Sequence, residues 1–190
     1  MVEDYDNILV PVDGSETAER AFDKAVKIAL DNNAHLDVLN VIDTRQFMGE
    51  MQDTLISGDT IYQMTQDSEE YLKSLKEWAK EHFNFTDVSY HIRYGSPKRI
   101  IAVDFIKDHH NDLIIMGATG MNAVERMLMG SVTAYVNQHA LSDVLIVKTD
   151  LDNNKVAKPK KKYFKKTNIM KFTLSVMIEC FFIKWIDPIW

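Results

Sequence analysis

The residues of this chain best suited to chemistry lie late in it. Gly117-Ala118-Thr119-Gly120 is followed by nine residues, Met121 to Met129, and then by Gly130-Ser131-Val132-Thr133, a G-x2-G-x9-G-S spacing. Glycine lets a backbone come close to a ligand, and the free N–H groups that open a helix attract anions through hydrogen bonds and the helix dipole. A phosphate chain fits that description, with Ser131 and Thr133 adding hydroxyl donors. No lysine lies between Lys107 and Lys148, and Arg126 is the only cation near the motif. Glycine also ends strands and caps helices, so the spacing alone serves architecture as well as binding. Its position between a strand and a helix, at the sheet end where nucleotides bind, favours binding.

A second candidate is Asp13-Gly14-Ser15, directly after an apolar run. Asp13 is equally a turn residue or a ligand contact, and Ser15 equally a helix cap. His35, His82, His91, His109, His110 and His139 show no HExxH pairing and no cysteine partners, so no dedicated transition-metal site is expected. Met116, Met121, Met127 and Met129 read as core packing and loop anchoring, because no His or Cys cluster accompanies them. Glu69-Glu70 reads as a solvated helix face.

Alternating elements must hold these residues in place. Asn7 to Val12 is a continuous apolar strand buried on both faces, and Ala18, Ala21, Phe22, Ala25, Ile28 and Ala29 recur at helical steps up to Asn32-Asn33. Leu36 to Ile42 is a second strand, and Asp43 to Gln66 reads as a long loop with helical pieces. Asp67 to Phe83 has a helical apolar face of Tyr71, Leu72, Leu75, Trp78, Ala79 and His82. Val88 to Tyr94 alternates as a strand, Pro97 opens a third helix, and Asp112 to Gly117 is a fourth strand. Ser131 to Ala140 is a fourth helix and Val144 to Val147 a fifth strand. This β/α alternation predicts a parallel sheet covered by helices on both faces, with ligands beyond the carboxyl ends of the strands.

The chain has 190 residues, 46% of them hydrophobic and 10% aromatic, the profile of a soluble globular protein. One domain at residues 1–150 plus an extension at 151–190 fits that length. A single cysteine, Cys180, and an acidic N-terminus unlike a secretory signal set a cytoplasmic expectation. The net charge of −6 hides a division. Residues 1–150 hold 13 basic against 25 acidic residues, whereas 151–190 hold nine lysines against three acids. An acidic body repels phosphate backbones, so nucleic acid is not expected as its partner.

Three pieces together resemble the universal stress protein family in its nucleotide-binding branch. They are Ile8-Leu9-Val10-Pro11-Val12-Asp13-Gly14-Ser15, Leu39-Asn40-Val41-Ile42, and the G-x2-G-x9-G-S element running into His139-Ala140 and Val144-Leu145-Ile146-Val147. The resemblance covers residues 1 to about 150. It implies an α/β fold with a five-stranded parallel sheet of order 3-2-1-4-5, of the adenine nucleotide alpha hydrolase-like kind. It also implies homodimers through the last strand (Val144, Leu145, Ile146, Val147), and ATP with Mg2+ or Mn2+. Carried over by position, Pro11, Asp13 and Val41 would surround the adenosine, with Asp13 holding ribose or a metal-bound water. Met116, Gly117 and Gly120 would line the ribose and inner phosphates, and Gly130, Ser131, Val132 and Thr133 the outer ones. Members often carry polar or basic side chains where Ala118, Thr119 and Met121 stand, and this chain departs there.

Two other functions compete with a nucleotide-dependent regulator. An ATP-using enzyme needs charge over the γ-phosphate and a positioned nucleophile, and the chain has no G-x4-G-K-[ST] and no general base beside Ser131, so hydrolysis is expected to be slow. A phosphoacceptor receiver would end its third strand in Asp, and here that strand ends Tyr94-Gly95. A dimeric interaction module without nucleotide is the remaining alternative. The tail pairs a polybasic stretch, Lys155 to Lys166, with an apolar segment at 169–186 that Lys171, Glu179 and Lys184 interrupt. It falls short of a spanning helix, and reads either as a membrane-surface element or as an extension without function.

Overall fold

The computed structural model describes residues 5–47, 58–121, 129–149 and 151–152. The chain divides into a unit Met1–Pro159 and a second unit Lys160–Trp190, and every described residue belongs to the first. The expectations for residues 153–190 and for Arg126 lie outside the described residues.

Strand β1 (Asn7–Pro11) leads through a tight turn into helix α1 (Glu16–Asn32). Ser15 caps that helix, its hydroxyl accepting from the Ala18 N–H at 3.2 Å, and Asn33 closes it in the left-handed conformation at φ 57°. Such a cap contributes about 1 kcal/mol. Strand β2 (His35–Ile42) follows, then a 3-10 turn (Thr44–Phe47), helix α2 (Gly58–Phe83) and strand β3 (Val88–Tyr94). Residues 97–109 form helix α3, with regular turns at Pro97–Arg99 and Phe105–His109 on either side of a π-helical segment, Ile100–Asp104. Strand β4 (Leu113–Gly117), helix α4 (Ser131–His139) and strand β5 (Asp143–Val147) complete the order.

The sheet is parallel throughout, in the order β3-β2-β1-β4-β5. The chain builds outward from β1 to β3, then returns to place β4 on the other side of β1. That reversal puts a crevice beyond the carboxyl ends of β1 and β4. Alternate side chains leave opposite faces of each strand, which sorts the core into two layers. Leu9, Leu39, Ile114 and Met116 pack with Ile101, Ala102, Phe105 and Ile106 of α3 and Val136 of α4. Helices α1 and α2 cover the other face with Ala18, Ala21, Phe22, Ala25, Val26, Leu72, Leu75 and Ala79, all buried. The alanines of α1 let its backbone lie close to the sheet.

Two departures from the sequence reading have local causes. Helix α2 begins at Gly58 rather than Asp67, because its first turns carry polar residues and leave Tyr62 61% exposed, so no buried stripe marks them. His82 faces solvent instead of the core, stacked on Trp78 with ring centroids 3.4 Å apart. Among the described residues no helix is long and apolar enough to cross a membrane.

Candidate functional site

Asp13 sits exposed just past β1, where both of its carboxylate oxygens accept main-chain hydrogen bonds. Oδ1 takes the Ser15 N–H at 3.0 Å, fixing the turn into α1, and Oδ2 takes the Met121 N–H at 3.0 Å, tying down the loop after β4. One side chain thus joins the two loops that flank the switch point. Each oxygen keeps acceptor capacity beyond that bond, since a carboxylate accepts about four hydrogen bonds in all.

The glycines do different jobs. A Cβ on Gly117 would lie 2.7 Å from the Thr17 carbonyl carbon and 2.8 Å from its oxygen, so this glycine exists to let the first turn of α1 press against β4. A Cβ on Gly120 would meet Asp13 Oδ2 at 2.6 Å, so this one makes room for the carboxylate. Gly130 lies close to the same loop, 3.4 Å from Thr119 Cα and 3.5 Å from the Gly120 nitrogen by the same construction, and its N–H donates to the Ala118 carbonyl at 2.8 Å. Thr17 Oγ1 donates to the Thr119 carbonyl and completes the clasp.

Helix α4 opens from this loop. Gly130 is its N-cap and offers no side-chain cap, and the first intrahelical bond runs from the Ala134 N–H to the Gly130 carbonyl at 2.9 Å. The N–H groups of Ser131, Val132 and Thr133 therefore lie ahead of the intrahelical ladder, at the positive end of the helix dipole. Ser131 is exposed there. Thr133 is not: it is 3% exposed and its hydroxyl donates to the Gly117 carbonyl at 2.9 Å. The hydroxyl expected to donate to a ligand is thus engaged within the fold, and only the main-chain N–H of Thr133 stays open at the start of α4. Val132 turns its side chain to the apolar cluster.

Pro11 ends β1, buried and paired in register with Leu39. Asn40 Nδ2 donates to the Val12 carbonyl at 2.7 Å and Ser68 Oγ donates to Asn40 Oδ1 at 2.9 Å, which locks the ends of β1 and β2 to α2. Val41, half-buried, packs on the apolar cluster, and Met116 is buried in it, so both would meet a ligand through main chain. The spacing of Tyr71 places it on the core face of α2, and in the fold its side chain is buried, 5% exposed. Burial, reinforced by the negative charges of Glu19 and Asp13, pushes that phenol well above its ordinary range. Nothing in the spacing of Tyr71 separates it from Leu72 and Leu75.

A five-stranded parallel sheet in this order, with a glycine-rich crevice at its switch point, defines the class of α/β proteins that bind ligands at strand carboxyl ends. Comparison with known proteins narrows the class. The profile of the universal stress protein family matches residues 4–148. A universal stress protein of Staphylococcus epidermidis is 42% identical over 147 residues, covering 77% of this chain and 86% of that one. One from Staphylococcus aureus strain USA300 is 39% identical over 150 residues, with the same two coverages. Among solved structures, the universal stress protein UspA from Lactobacillus plantarum superposes with a TM-score of 0.62 at 32% identity, over 76% of this chain and 99% of that one. A universal stress protein in complex with cAMP matches with a TM-score of 0.55 at 26% identity, over 76% of this chain and 98% of that one. The chain belongs to the universal stress protein family.

Proposed function

We propose that this protein binds ATP in the crevice between β1 and β4 and acts as a nucleotide-dependent regulator in the cytoplasm. The observation that carries the reading is the convergence of the uncapped N-terminus of α4, the Gly117–Gly120 loop and Asp13 on one crevice. The solved relative in complex with cAMP supports an adenine nucleotide as the ligand class. The phosphates would accept from the N–H groups of Ser131, Val132 and Thr133 and from the Ser131 hydroxyl. The adenosine would lie against Pro11 and the Val41 main chain.

Asp13 puts a negative charge beside that phosphate chain, an arrangement that calls for a cation between them. Mg2+ or Mn2+ fits, because such ions take one or two carboxylates together with substrate phosphates, and Asp13 is exposed with lone pairs to spare. The ion would screen the phosphates. Residues 11–15, 117–121 and 129–133 contain no Lys, Arg or His, so among the described residues these loops supply no side-chain cation and no imidazole base for phosphoryl transfer. That favours a bound state read by partners over rapid turnover. A homodimer through β5 accords with its place at the sheet edge and with Leu145, which is 39% exposed.

Equilibrium titration of ATP with Mg2+ tests the reading, with Gly130→Val and Ser131→Ala as comparisons. Valine at 130 pushes on Thr119 and Gly120 and is expected to cut affinity at least tenfold. Loss of the Ser131 hydroxyl should cost about 1 kcal/mol, roughly fivefold. Affinity unchanged in both variants, or no binding by the parent protein, rejects the crevice.

A further inference from the structure

At the opposite end of the sheet, three residues far apart in sequence meet. Asp37 near the start of β2, His91 on β3 and His109 at the end of α3 each offer one ligand atom, and these atoms all lie within 4.8 Å of one another. We propose that Asp37, His91 and His109 bind a divalent ion of the zinc type, at a site separate from the nucleotide crevice.

The chemistry and dimensions suit such an ion. Two imidazoles and a carboxylate form a three-ligand set that leaves a fourth position to water. With metal–ligand distances of about 2.1 Å, tetrahedral neighbours stand about 3.4 Å apart. His91 Nε2 and Asp37 Oδ1 are 2.8 Å apart and must open slightly, while the widest pair must close by about 1.4 Å at most, within reach of a rotation of half-buried His109. The His91 and His109 rings meet edge to face with centroids 4.6 Å apart, and Phe105 stacks on His109 at 4.0 Å.

The surroundings also fit. Asp37 is 4% exposed and its second oxygen accepts from Asn111 Nδ2 at 2.9 Å, the kind of outer partner that orients a ligating carboxylate. Asn111 is itself 3% exposed, and its Oδ1 is buried without a hydrogen-bond partner. A water completing the coordination of the ion is a donor that this orphaned oxygen lacks. One group opposes binding: Arg93 stands 3.3 Å from His109 Nε2 and 3.6 Å from Asp108. Its side chain is 42% exposed, so it can swing to solvent while keeping Asp108. His35 Nε2 lies 3.5 Å from Asp37 Oδ1 and is held on its other side by Asp87 at 2.6 Å.

The test is calorimetric titration of the full chain, stripped with chelator and free of nucleotide, with Zn2+. Co2+ serves as a second probe, since its visible absorption reports a tetrahedral site. One ion per chain is expected at this site. His109→Gln and Asp37→Asn should weaken binding at least about 100-fold, and Asn111→Ala about 10- to 100-fold. Arg93→Gln should tighten it, and His82→Ala on α2 should leave it unchanged. His109→Gln replaces a partly exposed side chain, so it keeps the test valid if Asp37→Asn fails to fold by circular dichroism. Absence of saturable binding, or equal affinity in His109→Gln, overturns the proposal. Binding abolished by Asp13→Ala and retained in His109→Gln assigns the ion to the crevice and overturns it as well.

Discussion

Gly117→Ala isolates the packing on which the crevice depends. The new methyl would sit 2.7, 2.8 and 2.9 Å from the carbonyl carbon, the carbonyl oxygen and Oγ1 of Thr17. Ordinary carbon contacts are about 3.5–4.0 Å, so the first turn of α1 must retreat by about 0.8 Å or more. It cannot do so freely, because Ser15 caps it and Ala18, Ala21 and Phe22 anchor it in the core. Overpacking of this kind costs about 1–3 kcal/mol, and loss of the Thr17 hydroxyl bond to Thr119 adds about 1 kcal/mol. We expect about 3 kcal/mol in all, a large share of the 5–15 kcal/mol typical of a domain, and a fall in Tm of about 6–12 °C. Urea unfolding read by circular dichroism measures it. Gly130→Ala is the control, since its nearest contact is 3.4 Å, and it should cost less than about 1 kcal/mol. A Gly117→Ala protein within about 0.5 kcal/mol of the parent refutes the close-approach argument.

Further consequences are open to the same methods. Thr133→Val keeps the side-chain shape but takes the donor from the buried Gly117 carbonyl, and should destabilise by about 1–2 kcal/mol in urea titration. The phenol of Tyr71 is raised in the folded state, so its contribution is complete below the unfolded value of about 10 and is lost as pH rises beyond it. Urea midpoints should therefore fall above about pH 10, and more gently in Tyr71→Phe; equal slopes would exclude Tyr71 as their source. Leu145→Glu places charge on the exposed edge strand and should turn a dimer into a monomer by sedimentation equilibrium, whereas an unchanged mass moves the interface elsewhere.

The alternation of strands and helices was legible because it is written locally, whereas the strand order came only from the resemblance to the universal stress protein family. Apolar runs such as Ile8-Leu9-Val10 mark buried strands, and Gly130-Ser131 marks a helix start beside one of them. What spacing left unmarked are relations between distant residues. By its local sequence Asp13 reads equally as a turn residue or a ligand contact; in the fold the loop bearing Met121, 108 residues away, hangs on it. Thr133 looked like Ser131 until one proved buried against Gly117 and the other exposed. A metal motif such as HExxH relates neighbours along one helix. It does not see Asp37, His91 and His109, which the parallel pairing of β2 with β3 and the end of α3 bring together.

In the proposed function, main-chain amides at the start of α4 grip the phosphates without a lysine. Amide proton–nitrogen correlation spectra recorded during titration with ATP and Mg2+ test it residue by residue. The largest shifts are expected at Gly120, Ser131, Val132 and Thr133, with His35, His91 and Asn111 at the far end of the sheet unmoved. Shifts centred elsewhere, or none at saturating nucleotide, contradict it.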